Sequence, residues 1–104
     1  MKLQQLRFVL AIAEYDLNIS KAAKHLYTSQ PGVSRQLRLL EEELDISIFV
    51  RNGKQLVDTT AQGKVVLEKF QAIMDLVNDI KSTASTETPQ RVSFSDLPQL
   101  AQAS

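Results

Sequence analysis

Residues 28–44, TSQPGVSRQLRLLEEEL, decide how the rest of the chain is interpreted. Thr28 and Ser29 are residue types that cap helix N-termini, and Pro31 suits the first helical turn because its φ angle is already fixed near the helical value. The stretch therefore predicts a helix over residues 30–44. Four apolar side chains recur in it at steps of four, three and four, so they share one face that packs on the core: Val33, Leu37, Leu40 and Leu44.

The opposite face of this predicted helix is polar and basic near its N-terminal end. Gln30, Ser34, Arg35 and Arg38 can donate hydrogen bonds to base edges and to phosphates. The glutamates at 41–43 follow only after this stripe, and a phosphate backbone would repel them. We therefore expect the N-terminal half of the helix to face DNA.

The distribution of charge supports this interpretation, although the formal net charge is 0, from 12 basic and 12 acidic residues. Residues 17–40 and 46–57 contain no acidic residue. Two arginines one turn apart would more often belong to a solvated helix face, but these acid-free surroundings favour contact with nucleic acid. The two segments together hold six basic residues: Lys21, Lys24, Arg35, Arg38, Arg51 and Lys54.

Composition excludes several other classes of protein. A chain of 104 residues with 43% hydrophobic content and only three glycines and three prolines predicts one small, mainly helical unit. It has no cysteine and a single histidine, so we expect no disulfide, metal cluster or other cofactor. No apolar run approaches the roughly 18 residues that span a bilayer, and no export signal is visible. We expect a cytoplasmic protein without a membrane partner.

The segment before residue 28 predicts two further helices, near residues 3–15 and 20–27, with Ser20 as the N-cap of the second. A short connection then leads directly into the helix at 30–44. Two helices joined by a tight turn form a helix-turn-helix, whose second helix enters the major groove of DNA. His25 is interpreted as a packing or surface residue without a catalytic role.

The segment after residue 44 predicts a β-hairpin near residues 47–58, with an Asn52-Gly53 turn. This hairpin is the wing of a winged helix-turn-helix over residues 1–58. Thr59 and Thr60 then cap a long helix near residues 60–82, and residues 59–82 form the second predicted region. Its apolar residues recur with heptad spacing: Val66, Phe70, Ile73, Val77 and Ile80.

This heptad pattern predicts a homodimer, because a continuous apolar stripe would otherwise face water. The same stripe has an alternative partner, the first helix of its own chain. Residues 83–104 are interpreted as a flexible linker or as the start of a further domain. Residues 91–95, RVSFS, alternate as a strand would. The predicted fold class is mainly α, a winged helix-turn-helix followed by a long dimerisation helix.

Residues spread over about 1–81 carry a resemblance to a known family. They are Leu3, Leu6, Ala22, Ala23, the run SQPGVSRQLRLLE at 29–41, Leu44, Ile48, Phe49, Arg51, Thr60 and Gly63. In this pattern the chain resembles the LysR-type transcriptional regulators, whose N-terminal winged helix-turn-helix is followed by a linker helix that dimerises. The segments MKLQQLR, LYTSQPG and RNGKQL are more narrowly similar to the CysB-like branch, which controls sulfur assimilation and cysteine synthesis.

The helix geometry and the resemblance together imply a set of DNA contacts. Residues at the start of the helix at 30–44 reach deepest into the major groove, and residues one turn later meet the groove wall. The resemblance implies that Arg51 enters the minor groove from the wing. We expect base contacts from Gln30, Pro31, Ser34 and Arg35, and backbone contacts from Thr28, Ser29, Arg38, Lys54 and Thr60.

The expected function is sequence-specific regulation of transcription, by a homodimer on a partly palindromic promoter site. The resemblance implies that a tetramer can form in the full-length protein, since such regulators are longer and carry a C-terminal inducer-binding domain. The inducer site is expected to lie outside this chain. A dimerising protein-interaction module without its own DNA site is the alternative. An enzyme is disfavoured because the sequence has no glycine-rich phosphate loop and a single His.

Overall fold

The computed structural model describes residues 1–86, and they confirm the mainly α, winged helix-turn-helix architecture. The described elements, in chain order, are α1 (Leu3–Glu14), α2 (Ile19–His25), α3 (Gln30–Leu44), β1 (Phe49–Asn52), β2 (Gln55–Thr59) and α4 (Ala61–Thr86). The chain divides into two compact units, the first of which is Met1–Met74. The predicted strand at 91–95 lies outside the described residues.

The helix α3 has the predicted bounds because its end signals are local. The hydroxyl of Ser29 accepts a hydrogen bond from the backbone N–H of Gly32 at 3.1 Å, which satisfies one of the free donors of the first turn. At the other end, Asp45 takes a left-handed conformation with φ of 56° and its N–H closes the last turn. The cap residues thus fix both ends of the segment that carries the expected base contacts.

The predicted N-cap of α2 was wrong. Asn18 caps this helix, since its side-chain oxygen accepts from the N–H of Lys21 at 2.9 Å, and Ser20 lies inside the first turn. Asparagine is as good a cap as serine, so the sequence offered two candidates two residues apart. The helix also ends at His25 and not at residue 27, because Tyr27 adopts a φ of 55°, which a right-handed helix excludes.

Three helices enclose the core of the unit Met1–Met74. The predicted apolar face of α3 is buried at Val33, Leu37 and Leu40, whereas Leu44 is half-buried. Ala22 and Ala23 of α2 are buried too, and their small side chains let α2 approach its neighbours closely. This packing turns the polar face of α3 toward solvent.

The hairpin of β1 and β2 is antiparallel, with Asn52 opposite Gln55. The loop therefore consists of Gly53 and Lys54, one residue later than the predicted Asn52-Gly53 turn. Glycine takes the first loop position because the backbone there needs a positive φ, 66° in this chain. The pairing register shifts between Val50 and Arg51. Lys54 lies in the loop at the tip of the hairpin, beyond this irregularity.

The start of α4 is fastened to the segment before β1. The hydroxyl of Thr60 donates to the carbonyl oxygen of Ser47 at 2.6 Å and accepts from the N–H of Gly63 at 2.9 Å. A Cβ at Gly63 would collide with the carbonyl oxygen of Ile48, so only glycine allows this approach. Thr60 and Gly63 together hold the first turn of α4 against the base of the hairpin.

The helix α4 ends at Thr86, so the predicted end at residue 82 was too early. The turn to Ser and Thr after residue 81 was interpreted as a linker, but these residues lower helix propensity only modestly and do not stop a helix. The first residue after α4 that stops a helix is Pro89, which lies beyond the described residues.

The predicted seam on α4 does not face water at every position. Phe70 is only 4% exposed within the unit Met1–Met74. Met74, one turn further along α4, is buried as well. The expectation of a continuous exposed stripe was therefore wrong at Phe70, which belongs to the interior of this chain. Of the other predicted positions, Ile80 is exposed and three are half-buried: Val66, Ile73 and Val77.

Candidate nucleic-acid interface

The N-terminal half of α3 presents the expected base-contacting residues on one surface. Gln30, Pro31 and Arg35 are exposed, and Ser34 is half-buried. They stand on this side because Val33 and Leu37 of the same helix are fully buried, which fixes the rotation of α3 about its axis. The structure thus brings together all four residues that the sequence assigned to base edges.

The two arginines of this surface differ little in their surroundings. Arg35 makes no hydrogen bond or ion pair within the described residues. The Nε atom of Arg38 lies 3.9 Å from Glu42 Oε2, and both side chains are mostly exposed. An exposed pair at that distance contributes at most about 1 kcal/mol, so a DNA phosphate can replace it. Both guanidinium groups are therefore available to a polyanion.

A polar groove lies between the start of α2, the start of α3 and the hairpin tip, and Ser20, Gln30 and Lys54 all line it. The Ser20 hydroxyl donates a hydrogen bond to Gln30 Oε1 at 2.8 Å. Lys54 is exposed and has no described hydrogen bond or ion pair among residues 1–86. The groove therefore joins the expected base contact at Gln30 with the expected phosphate contact at Lys54.

Arg51, the residue expected to enter the minor groove, is held by α3 in this structure. Its Nη2 lies 3.2 Å from Glu41 Oε1, and Glu41 Oε2 accepts from the backbone N–H of Ile48 at 2.7 Å. The Glu41 side chain is only 13% exposed, so water screens this pair less than an exposed one. A minor-groove contact by Arg51 stays a prediction, and it requires the guanidinium to leave Glu41.

The remaining expected backbone contacts surround the start of α3 and the start of α4. Thr28 and Ser29 are exposed, and the Ser29 hydroxyl is already used in the cap of α3. Thr60 is half-buried, and its hydroxyl is occupied by Ser47 and Gly63. Thr60 thus has a structural role at the base of the hairpin, and its expected phosphate contact remains a prediction.

Two features of the site were not predicted. Gln5 is buried in α1, and its Nε2 donates to Gln36 Oε1 at 3.1 Å, which links α1 to the recognition helix α3. Tyr27 is 97% exposed in the turn before α3. The only sequence signal for Gln5 was a polar residue within an apolar helix pattern, and for Tyr27 an aromatic residue in a tight turn.

His25, expected to be a packing or surface residue, is exposed at the end of α2. Its Nδ1 lies 2.8 Å from the hydroxyl oxygen of Tyr15, and the two ring centroids are 5.0 Å apart. This contact joins the end of α1 to the end of α2.

Among residues 1–86, no three His, Asp or Glu side chains are grouped so that they can hold a metal ion. The same residues include no helix of sufficient length and apolarity to cross a bilayer.

A recognition helix with a free basic face, packed on two helices and followed by a hairpin with a lysine at its tip, defines a winged helix-turn-helix DNA-binding domain. The family described as bacterial regulatory helix-turn-helix protein, lysR family, matches residues 3–64. The chain belongs to this family, which confirms the resemblance seen in the sequence.

Two relatives of known name also resemble the chain. The CysB transcriptional regulator of Haemophilus influenzae is 41% identical over 88 residues, which are 85% of this chain and 27% of that protein. The cbl regulator of Klebsiella aerogenes is 42% identical over 88 residues, with 85% of this chain and 28% of that protein covered. These relatives confirm the narrower likeness to CysB-like regulators. The chain spans little more than a quarter of their length.

Two solved DNA complexes have the same fold. The DNA-binding domain of CbnR bound to DNA superposes with a TM-score of 0.73 at 32% identity, covering 88% of this chain and 100% of that one. The DNA-binding domain of BenM on benA site 1 DNA gives a TM-score of 0.78 at 30% identity, with the same coverage of 88% and 100%.

Proposed function

We propose that this chain binds double-stranded DNA sequence-specifically and is the DNA-binding part of a transcriptional regulator of sulfur and cysteine metabolism. The observation that carries the proposal is the solvent-facing polar side of α3, formed by Gln30, Ser34, Arg35 and Arg38. The similar domains of CbnR and BenM, which hold DNA in their crystals, support it. The similarity to CysB and cbl regulators supports the assignment of target genes.

In this proposal the residues of α3 divide into those that read bases and those that hold the backbone. Gln30, Pro31, Ser34 and Arg35 lie in the first two turns and face the base edges of the major groove. Arg38, one turn further along, meets the phosphates at the groove wall, where its weak pair with Glu42 is exchanged for a phosphate. Thr28 and Ser29 contact the backbone beside the turn.

The wing supplies its contact through Lys54, which is exposed at the hairpin tip. Arg51 retains its predicted minor-groove role only if DNA displaces Glu41 from its guanidinium. A Glu41→Gln variant distinguishes these possibilities, because glutamine keeps an acceptor for Ile48 but loses the charge that holds Arg51. If Arg51 enters DNA, this variant binds more tightly than the wild type. If Arg51 remains at α3, Lys54→Ala weakens binding and Glu41→Gln does not strengthen it.

The chain forms a homodimer through α4, and the stripe proposed for it is revised by the burial of Phe70. Leu76 and Ile80 are exposed and lie four residues apart, so they share one helix face, and the exposed Val65 and Ala72 share a face in the same way at a spacing of seven. An exposed apolar stripe of this kind is stabilised by a second copy of itself. A tetramer in the full-length protein, with an inducer site outside this chain, extends the same proposal.

A dimerising interaction module remains the second candidate, because the exposed stripe on α4 fits it equally well. No catalytic activity is proposed, since the named relatives are transcriptional regulators. We expect the chain in the cytoplasm, where bacterial promoter DNA lies.

Band-shift titrations at two salt concentrations test the proposal against this candidate. The probes are promoter DNA from sulfur-assimilation genes and random DNA of equal length. DNA binding releases counterions, so affinity falls with salt on both probes, while the promoter probe is bound more tightly at each concentration. An interaction module binds neither probe, and its self-association is little affected by salt. Equal affinity for both probes contradicts sequence-specific binding.

A further inference from the structure

A hydrogen bond between two side chains joins the two helices of the helix-turn-helix on its DNA-facing side. Ser20 is the second residue of α2, and Gln30 is the first residue of α3. The Ser20 hydroxyl donates to Gln30 Oε1 at 2.8 Å, and both residues are exposed. Because Asn18 caps α2, the Ser20 hydroxyl is not needed to start that helix. Its described hydrogen bond is directed at a base-contacting residue instead.

This bond changes which hydrogen bonds the Gln30 amide can offer to DNA. A glutamine amide has one oxygen with two acceptor lone pairs and one nitrogen with two N–H donors. The bidentate pair with adenine uses both ends, since the oxygen accepts from N6 and the nitrogen donates to N7. The Ser20 hydroxyl occupies one of these lone pairs, so the amide keeps both donors but only one acceptor site for DNA. Such a group suits base edges that carry acceptors, which are guanine O6 and N7 and thymine O4.

We propose that Ser20 is a positioning residue that biases the base preference of Gln30: guanine or thymine is favoured over cytosine, and the bidentate pair with adenine is weakened because its acceptor oxygen is shared with Ser20. The inference rests on the proposed function, in which α3 enters the major groove. Hydrogen bonds between exposed groups contribute little in water, but Ser20, Gln30 and Lys54 line one groove, and DNA bound there would exclude water from it. The lower local dielectric strengthens the bond at the moment when base discrimination occurs.

Selection of bound sequences from a randomised DNA library tests the proposal. The wild type is compared with Gln30→Ala, Ser20→Ala and Ser20→Thr, and the position that Gln30→Ala relaxes is the one that Gln30 reads. At that position the wild type selects guanine or thymine over cytosine. Ser20→Ala ends the sharing of the amide oxygen, so adenine rises relative to guanine by about two- to threefold, a part of the value of one hydrogen bond. Ser20→Thr keeps a hydroxyl and restores the wild-type preference.

A matched control is Ser47→Ala, which removes an exposed hydroxyl elsewhere and keeps the carbonyl that Thr60 uses. It leaves the selected base unchanged. Thermal unfolding verifies that Ser20→Ala and Ser47→Ala are folded to the same extent as the wild type.

Three results overturn the proposal while specific DNA binding stands. In the first, Ser20→Ala selects the same base as the wild type. In the second, the wild type selects cytosine or adenine, which shows that Gln30 presents its oxygen. In the third, Gln30→Ala relaxes no position, so this residue reads no base. If the wild type enriches no sequence at all, the proposed function itself fails and this inference fails with it.

Discussion

The two halves of α3 carry charged side chains that are used in opposite ways. In the N-terminal half, Arg35 is exposed and has no described partner among residues 1–86. In the C-terminal half, Glu41 contacts both Arg51 and the backbone of Ile48. The sequence interpretation treated the glutamates only as groups that DNA repels. The structure shows that one of them also fastens the hairpin to the helix, so the half of α3 away from the expected DNA surface positions the wing.

The same contrast between inward and outward residues recurs on α4, and it predicts the largest effect. Phe70→Ala is expected to lower the free energy of unfolding by about 3–5 kcal/mol, since it empties a buried aromatic site. Leu76 is 63% exposed, so Leu76→Glu is expected to change the stability of the monomer by less than about 0.5 kcal/mol. It should convert the dimer to monomer in sedimentation.

Urea unfolding of Phe70→Ala is best measured in the Leu76→Glu background, where association no longer contributes to stability. An equal loss of stability from both substitutions would contradict the assignment of inward and outward faces. A dimer that survives Leu76→Glu together with Ile80→Glu, the latter at a residue 68% exposed, would place the dimer interface elsewhere.

On the basic face of α3, Arg35 and Arg38 are expected to differ in the kind of binding they support. Arg35→Ala should cost about 1–3 kcal/mol on the specific site with little loss on random DNA. Arg38→Ala should weaken both alike and reduce the salt slope by roughly one unit, because it removes a phosphate contact. Band shifts on both probes over a range of salt measure this difference. Equal losses for both variants on both probes would refute the division into reading and holding roles.

Within the C-terminal half, Glu41 and Glu42 are neighbours in sequence with different expected contributions to stability. Glu41→Ala leaves the N–H of Ile48 without its acceptor and should cost about 1–3 kcal/mol in urea unfolding. Glu42→Ala removes only an exposed pair and should cost less than about 0.5 kcal/mol. Similar values for the two would mean that Glu41 does not anchor the hairpin.

The smallest effect is expected in the turn that precedes α3. Tyr27 has a φ of 55°, a conformation in which a side chain with a Cβ is strained and which asparagine tolerates better than most residues. Tyr27→Asn should therefore raise the free energy of unfolding by up to about 1 kcal/mol. Thr28→Asn, at a residue with ordinary φ, is the matched control and should give no gain. Thermal unfolding of both variants decides whether the tyrosine is retained at a cost in stability.

The sequence was sufficient for α3 because its caps and its apolar spacing are local signals. It was not sufficient for α2, since Asn18 and Ser20 are both good caps and only the folded chain chooses between them. The side-chain pairs Ser20–Gln30 and Glu41–Arg51 were missed for another reason. Each joins residues ten positions apart across a turn, so no periodicity within one element reports it.

The solvent-facing side of α3 was predicted well because burial of one face of the helix determines which residues remain outside, whereas the DNA contacts on that side stay a prediction. The dimer surface was predicted less well. Heptad spacing cannot distinguish a stripe that packs on its own chain from one that packs on a second copy, and Phe70 shows that part of it does the former.

The attachment at Thr60 and Gly63 has a mechanical consequence. Because Gly63 has no Cβ, the first turn of α4 lies directly against the backbone of Ile48. The Thr60 hydroxyl donates to the carbonyl oxygens of Ser47 and Ile48 beside this contact. We therefore expect the base of the hairpin and the first turn of α4 to move together. For the same reason we expect the hairpin to turn together with α4 when the direction of residues 61–74 changes.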